Sequence, residues 1–477
     1  MKVSSDEIAR IVARVLHQLD EKKEPEQQRA QEMPSACALG NSRYNGAFPD
    51  VSSAVNAAKK AFQELRGLTV SQREKMVFEI RRICTEHLET LARQAFEETG
   101  LGRWEDKIEK NRLVIEKTPG TEDLHPQAFS GDFGLTLVEN APYGIIGAIT
   151  PMTNPTETII CNSIGMIAAG NAVVFNAHPK AKRCSAYAVH LINTAVVKAG
   201  GPANLAAIVE HPTMESASEL MTHPDIRILV VTGGGGVVKA AFGSGKKVIA
   251  AGPGNPPAIV DETADLEKAA KDIIAGASLD NNILCIAEKE VFVVQSVADR
   301  FCDALRRNGA YQVIGSNIGR LESLIWRDGH ISAELIGKNA GYILSQIGVH
   351  CGPEIRLGFF ECSADHFLVK AEQMMPIMPV VRVPDVKEAI ELALKAEGGN
   401  FHTATMHSLN LAALHEMAMR SNVSIFVKNG PSFAGLGMGG EGPTTMSIAS
   451  PTGEGITTSR TFTRSRRCVL KGHFRIV

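Results

Sequence analysis

Between residues 145 and 231 the chain alternates short apolar runs, turns of glycine, proline or asparagine, and longer amphipathic segments, and few folds accommodate that order. Ile145 to Thr150, Ala172 to Phe175, Ala206 to Val209 and Ile226 to Val231 have strand length, and helices are expected from the first of these runs to Ala169 and from the second to Ala199. Strand, turn and helix in repetition predict a parallel sheet covered by helices on both faces. Such sheets bind ligands beyond the carboxyl ends of their strands, so the turns there are where function is sought.

Three of those turns carry polar or glycine residues. Ile149-Thr150-Pro151-Met152-Thr153-Asn154-Pro155 sets a side-chain amide at a strand-to-helix junction, and Asn176-Ala177-His178-Pro179 offers polar groups without a lysine. Thr232-Gly233-Gly234-Gly235-Gly236 follows a buried strand and precedes a helix. Glycines there let the backbone approach a phosphate or ribose, and a helix N-terminus favours an anion. A tight turn that needs only positive φ is an equal reading, since the run is not G-x-G-x-x-G.

The stretch Asp280-Asn281-Asn282-Ile283-Leu284-Cys285-Ile286-Ala287-Glu288-Lys289 places one thiol ahead of the apolar strand Val291 to Val294 and a helix over Ser296 to Arg306. A cysteine on a loop held by rigid elements is a candidate nucleophile. Taken alone, a cysteine between leucine and isoleucine reads first as an inert core residue, and only the other motifs reverse that reading. Gly245-Lys246-Lys247 is not a phosphate-binding loop, because residue 240 is Ala and no Ser or Thr follows Lys246. His415-Glu416 fails as a zinc helix at Met419, and His402 and His407 read as surface or satisfied core histidines, so no metal site is expected.

Composition excludes several classes. At 477 residues the chain is too long for one core and implies two or more domains. A net charge of −2 gives no case for nucleic acid or an anionic membrane, and no apolar run spans a bilayer or forms a secretory core. Nine cysteines without a C-x-x-C pair imply reduced thiols in a cytosolic setting. Ser4 to Leu19 carries an apolar stripe at helical spacing, followed by a polar linker. This helix is either a docking tag or a segment that packs on its own body or a neighbouring subunit. Helices are expected over Val51 to Leu65 and Val70 to Thr99, the second closed by Gly100 and Gly102, and a strand or hairpin over Asp132 to Glu139.

Asn154 in a Pro-x-x-Asn-Pro turn, Thr232-Gly233-Gly234, Cys285 and Glu372-Gln373-Met374-Met375-Pro376 stand in the order and spacing of the aldehyde dehydrogenase superfamily, which the chain resembles from Phe48 onward. Gly252-Pro253-Gly254-Asn255-Pro256-Pro257, Val260 to Asp265, His402-Thr403-Ala404, Phe426 to Pro431 and Pro451 to Gly455 are similar to its coenzyme A-acylating members from bacterial microcompartments. The propanediol-utilisation type is favoured over the ethanolamine-utilisation type by Asn154 to Thr158 and Cys285 to Lys289.

The resemblance implies an α/β fold of two Rossmann-like parallel-sheet domains plus a small oligomerisation arm. Residues 1–20 would be an encapsulation-type tag, 21–47 a linker, 48–257 the NAD-binding domain with 124–143 in the arm, 258–445 the catalytic domain, and 446–477 an oligomerisation tail. It implies catalysis by Cys285 and Asn154, and NAD contacts from Thr150, Pro151, His178, Thr232, Gly233, Gly234, Ala251, Gly252 and Glu372. A short-chain aldehyde, propionaldehyde first, would pass to coenzyme A through a cysteine thioester. The enzyme would be a homodimer or homotetramer inside a cytoplasmic microcompartment, its tag reaching shell or cargo proteins. The glutamate base of hydrolytic relatives aligns with Ala250. An acetaldehyde-preferring enzyme, a hydrolytic dehydrogenase and a non-catalytic cargo scaffold are the alternatives.

Overall fold

The computed structural model describes residues 44–477 except Asp328; the expected tag, residues 1–20, and most of the linker lie outside the described residues. Residues 44–47, assigned above to the linker, already belong to the body. Ala47 pairs with Ile208 at the edge of the first sheet, and the Asn45 N–H donates to His190 Nδ1 at 3.2 Å.

The first sheet has six strands, in the order Ala47–Phe48, Ala206–Val209, Ala172–Ala177, Ile145–Thr150, Ile226–Thr232 and Lys247–Ala251, every pair parallel. Ile145–Thr150 and Ala172–Ala177 are buried along their whole length. Burial on both faces is why they read as continuous apolar runs rather than alternating ones. The helices Pro155–Ala168 and Lys182–Lys198 return the chain between strands.

The single helix expected over Val70 to Thr99 is two, Val70–Glu86 and Leu88–Thr99, meeting at His87. His87 leaves helical geometry at φ −111°, ψ 15°, while its ring Nδ1 pairs with the Tyr187 hydroxyl at 2.8 Å. The apolar stripe continues through the break, so periodicity alone does not reveal it. Gly100, at φ +65°, closes the second helix as expected.

One helix escapes hydrophobic periodicity altogether. Trp104–Lys117 turns Lys107, Lys110, Asn111 and Val114 inward, all fully buried. That spacing is the i, i+3, i+4, i+7 stripe of an amphipathic helix, but three of its four places hold polar side chains. Composition therefore makes the buried face look like a solvated one.

The second sheet has seven strands, all pairs parallel, in the order Ala310–Gln312, Leu357–Glu361, Ile377–Val383, Glu290–Val294, Pro257–Val260, Thr403–His407 and Ile425–Lys428. The loop bearing Cys285 runs from the helix Leu266–Ser278 into Glu290–Val294, the central strand, so it is anchored at both ends. After residue 445 the chain returns to the first sheet: Met446, Ile448, Ala449 and Phe462 join its core.

The third sheet is antiparallel and joins distant parts of the chain, Gln127–Gly131, Gly134–Pro142 and Thr463–Lys471. Asp132 and Phe133 form its hairpin turn rather than strand, and Phe129, Phe133, Val469 and Leu470 are exposed. Among the described residues no helix is long and apolar enough to cross a membrane.

Candidate active site

A cavity of about 330 Å³ opens beyond the carboxyl ends of Ile145–Thr150, Ala172–Ala177 and Ile226–Thr232 and is walled on its far side by the Cys285 loop. Its lining includes Thr150, Pro151, Asn154, His178, Thr232, Gly233, Gly234, Gly252, Cys285 and Glu372, ten of the eleven residues singled out from sequence. Ala251 does not line it. It ends the strand Lys247–Ala251, where its carbonyl accepts the Gly233 N–H at 3.1 Å and so backs the glycine turn from behind.

The glycine turn does not need its glycines for φ. None of Gly233 to Gly236 adopts positive φ, and a Cβ on Gly234, Gly235 or Gly236 would meet nothing within 4 Å. A tight turn is thus no explanation for the run. It leaves bare backbone at the start of the helix Gly235–Phe242, facing a cavity, which suits close approach of an anion. His178 Nδ1 accepts the Lys180 N–H at 3.2 Å, and burial together with Lys180 holds its pKa below the usual histidine range. The neutral ring therefore carries its proton on Nε2 as a donor.

The Cys285 loop is built on three successive left-handed residues, Asp280 (φ 48°), Asn281 (φ 54°) and Asn282 (φ 65°). Asn and Asp are the non-glycine residues that enter this region most readily, yet three in a row store strain that the surroundings must hold. Asn281 Nδ2 donates to the Gly337 carbonyl and to Asn339 Oδ1, each at 2.8 Å. Lys289, fully buried, clamps the loop from inside. Its Nζ donates to the Asn282 carbonyl at 2.9 Å, to Asn282 Oδ1 at 2.6 Å and to the Leu284 carbonyl at 3.2 Å.

Cys285 keeps part of its surface open to the cavity, but the protein packed around its sulfur pushes the thiol up to about 12. Burial is the largest cause; the charge of Glu372 adds to it, and Lys289 and Lys110 oppose it. Glu372 is itself held above the usual carboxylate range by burial, against Lys289 and the Gly254 N–H. Gly254 is tightly enclosed, since a Cβ there would lie 2.6 Å from the Cys285 carbonyl oxygen and 2.9 Å from the His402 ring. His402 and His407 are both buried, and burial pushes each down to about 4. His402 thus packs close to the nucleophile loop, which its polar sequence context does not reveal.

Asn154 precedes the helix Pro155–Ala168 and is only 6% exposed. Its carbonyl accepts Thr158 N–H at 3.0 Å and Thr158 Oγ1 at 2.6 Å, which fixes the backbone. Its side-chain Oδ1 accepts Lys110 Nζ at 2.6 Å. Behind the cavity wall Lys110 also meets Asp280 Oδ2 at 2.6 Å and Glu157 Oε1 at 3.3 Å, and Lys107 meets Asp280 Oδ2 at 2.9 Å. All four charged groups are fully buried. The sequence signal for this layer was the inward spacing of Lys107, Lys110 and Asn111, which a search for apolar stripes passes over.

Residues 37–319 match the model of the aldehyde dehydrogenase family, and a thiol facing a cleft at the strand ends is consistent with that match. The chain belongs to the aldehyde dehydrogenase family. It is 48% identical to the acetaldehyde dehydrogenase (acetylating) EutE of Salmonella typhimurium over 439 residues, 91% of this chain and 94% of that protein. It superposes on the Rhodopseudomonas palustris propionaldehyde dehydrogenase, solved with bound coenzyme A and an acylated cysteine. The TM-score is 0.88 at 49% identity, over 90% of this chain and 98% of the other. A propionaldehyde dehydrogenase from the Clostridium phytofermentans fucose utilisation bacterial microcompartment gives a TM-score of 0.89 at 47% identity, over 91% and 100%. In this aldehyde dehydrogenase Ala250 is fully buried within the strand Lys247–Ala251 and does not line the cavity. Glu372 is the one carboxylate among the described lining residues.

Proposed function

We propose that the protein oxidises a short-chain aldehyde with NAD⁺ and transfers the acyl group to coenzyme A, giving acyl-coenzyme A and NADH. The observation that carries this reading is one cavity holding the Cys285 thiol, the Asn154 amide and the bare glycine turn, with Glu372 as its one carboxylate. The Cys285 thiolate attacks the aldehyde carbon, and the resulting oxyanion receives hydrogen bonds from Asn154 Nδ2 and the Cys285 backbone N–H. Loss of hydride from that carbon as the oxyanion collapses would leave a thioester on Cys285, a nicotinamide held in the cavity supplying the acceptor. The coenzyme A thiolate then attacks the thioester carbon, and the Cys285 thiolate departs.

Thr150, Pro151, His178, Thr232, Gly233, Gly234 and Gly252 form the nucleotide wall in this reading, with Glu372 at the nicotinamide ribose. Ala251 acts through the turn it supports. NAD⁺ supplies the hydride acceptor; the chain's own residues position it and hold the thioester away from water. Attack by water at neutral pH needs a positioned base, whereas a thiol near pKa ~8.5 is already partly ionised. A cavity without the glutamate base of hydrolytic relatives therefore favours a thiol acceptor.

Residues 48–257 are proposed as the nucleotide-binding domain and 258–445 as the catalytic domain. Within residues 124–143 and 446–477, the hairpin Gln127–Gly131 and Gly134–Pro142 with the strand Thr463–Lys471 forms the oligomerisation arm of a dimer or tetramer, while Met446 to Phe462 packs on the first core instead of the arm. Propionaldehyde is placed ahead of acetaldehyde on the motifs at Asn154 to Thr158 and Cys285 to Lys289. The residue 1–20 stripe is assigned to docking inside a microcompartment. NADH formation with acetaldehyde and propionaldehyde, each with and without coenzyme A, tests the activity. Steady turnover without coenzyme A overturns it, and a higher kcat/KM for acetaldehyde overturns the substrate order. A fluorescent fusion of residues 1–20 tests the tag: puncta in cells carrying compartments support it, and diffuse signal contradicts it.

A further inference from the structure

An asparagine amide presents a donor to a cavity only if something decides which way round it sits. Rotation by 180° about the terminal bond of Asn154 exchanges Oδ1 for Nδ2 at little steric cost. Neither the backbone hydrogen bonds of Asn154 nor its own contact from Nδ2 to Thr153 Oγ1, at 3.3 Å, supplies a strong preference. The Lys110 ammonium does, because it only donates and sits 2.6 Å from Oδ1. With Oδ1 committed to Lys110, Nδ2 is the atom left for the cavity.

Lys110 is fully buried and is not among the cavity-lining residues, so it does not meet substrate. Burial pulls its pKa down, but Asp280 and Glu157 outweigh burial and hold it above the ordinary lysine value. Lys107 shares Asp280 and is pulled below its ordinary value, first by burial. The ammonium held above its ordinary value is therefore the one against Asn154. The same ammonium touches Asp280 Oδ2 at 2.6 Å, at the start of the left-handed run that carries Cys285. One nitrogen ties the turn bearing the amide to the loop bearing the thiol.

We infer that Lys110 is a positioning residue for the reaction, orienting the Asn154 amide as an oxyanion donor and fixing its separation from Cys285. The inference rests on the oxyanion role proposed for Asn154, and the test separates the two. The rate constant of the first-turnover NADH burst is measured at saturating NAD⁺ for Lys110→Met, Asn154→Ala and the double variant, with NAD⁺ affinity and thermal melting recorded alongside. Asn154→Ala is expected to slow the burst on the order of a hundredfold, as for loss of one oxyanion donor. Lys110→Met is expected to slow it by about tenfold or more while NAD⁺ affinity stays near normal. The double variant should fall well short of the product of the two losses and lie near Asn154→Ala, because a residue acting mainly through Asn154 loses beyond it only its small support of the Cys285 thiolate.

Losses that multiply in the double variant, or a wild-type burst in Lys110→Met, overturn the inference. An unchanged burst in Asn154→Ala is a different result: it removes the oxyanion role itself. If Lys110→Met does not fold, Lys110→Arg and Lys110→Gln carry the test. Arginine only donates and should restore part of the rate, whereas glutamine also accepts and should not. Equal rates for the two overturn the inference.

Discussion

The Cys285 thiol, pushed up to about 12 where an ordinary thiol titrates at 9.0, should be unreactive until the nucleotide is bound. At pH 7.5 a thiol of pKa 9.0 is about 3% ionised and one of pKa 12 about 0.003%, a difference of roughly a thousandfold or about 4 kcal/mol. Burial and the Glu372 charge raise the value, and Lys289 and Lys110 are not enough to offset them. The positive charge of an oxidised nicotinamide held in the cavity that Cys285 lines would favour the thiolate and offset part of that penalty, because a nearby opposite charge stabilises the ionised form. The assay is iodoacetamide alkylation, read on the Cys285 peptide by mass spectrometry from pH 7 to 10. Without nucleotide the rate should be far below that of a free thiol and climb tenfold per pH unit without levelling. NAD⁺ should accelerate it and NADH, which fills the same space without the ring charge, should not. A plateau below pH 9 in the free enzyme, or equal rates with NAD⁺ and NADH, would refute the reasoning.

Gly254→Ala puts a Cβ against the Cys285 carbonyl and the His402 ring, so the burst rate should fall on the order of ten- to a hundredfold with NAD⁺ affinity near normal; an unchanged burst would contradict the packing argument. Glu288, buried against Ser432, is pushed up to about 7 from 4.5, principally by burial. Because its folded value is the raised one, its favourable neutral form is fully present below pH 4.5 and is lost as pH rises through 7. The melting temperature of the wild type should therefore fall between about pH 4.5 and 7 relative to Glu288→Gln, by the equivalent of up to about 3 kcal/mol, and level off above; parallel melting curves across that range would count against it.

The strands that carry the site were legible because they are short apolar runs ended by turns. Ile145–Thr150 and Ala206–Val209 have the expected ends, and the turns after Thr150, Ala177 and Thr232 meet at one cavity. The left-handed run before Cys285 was written in Asp280-Asn281-Asn282, a cluster of the non-glycine residues most tolerant of that geometry. What periodicity missed was polar and buried. Lys107 and Lys110 occupy interior positions because partners far along the chain satisfy them, and no local pattern announces a partner 173 residues away; Lys289 is satisfied within its own loop by Asn282 and Leu284, whose carbonyls no side-chain pattern reveals. The return of Met446 and Phe462 to the first core is hidden for the same reason, being a property of topology.

The central claim is that Cys285 carries the acyl group and passes it to a thiol rather than to water. Enzyme mixed with propionaldehyde and NAD⁺, without coenzyme A, tests it most directly when NADH and the mass of the Cys285 peptide are followed together. The account predicts a burst of about one NADH per active site, a stall, a propionyl adduct on Cys285, and release of that adduct when coenzyme A is added. Continuous NADH formation with free acid as product, or a burst that leaves Cys285 unmodified, would contradict it.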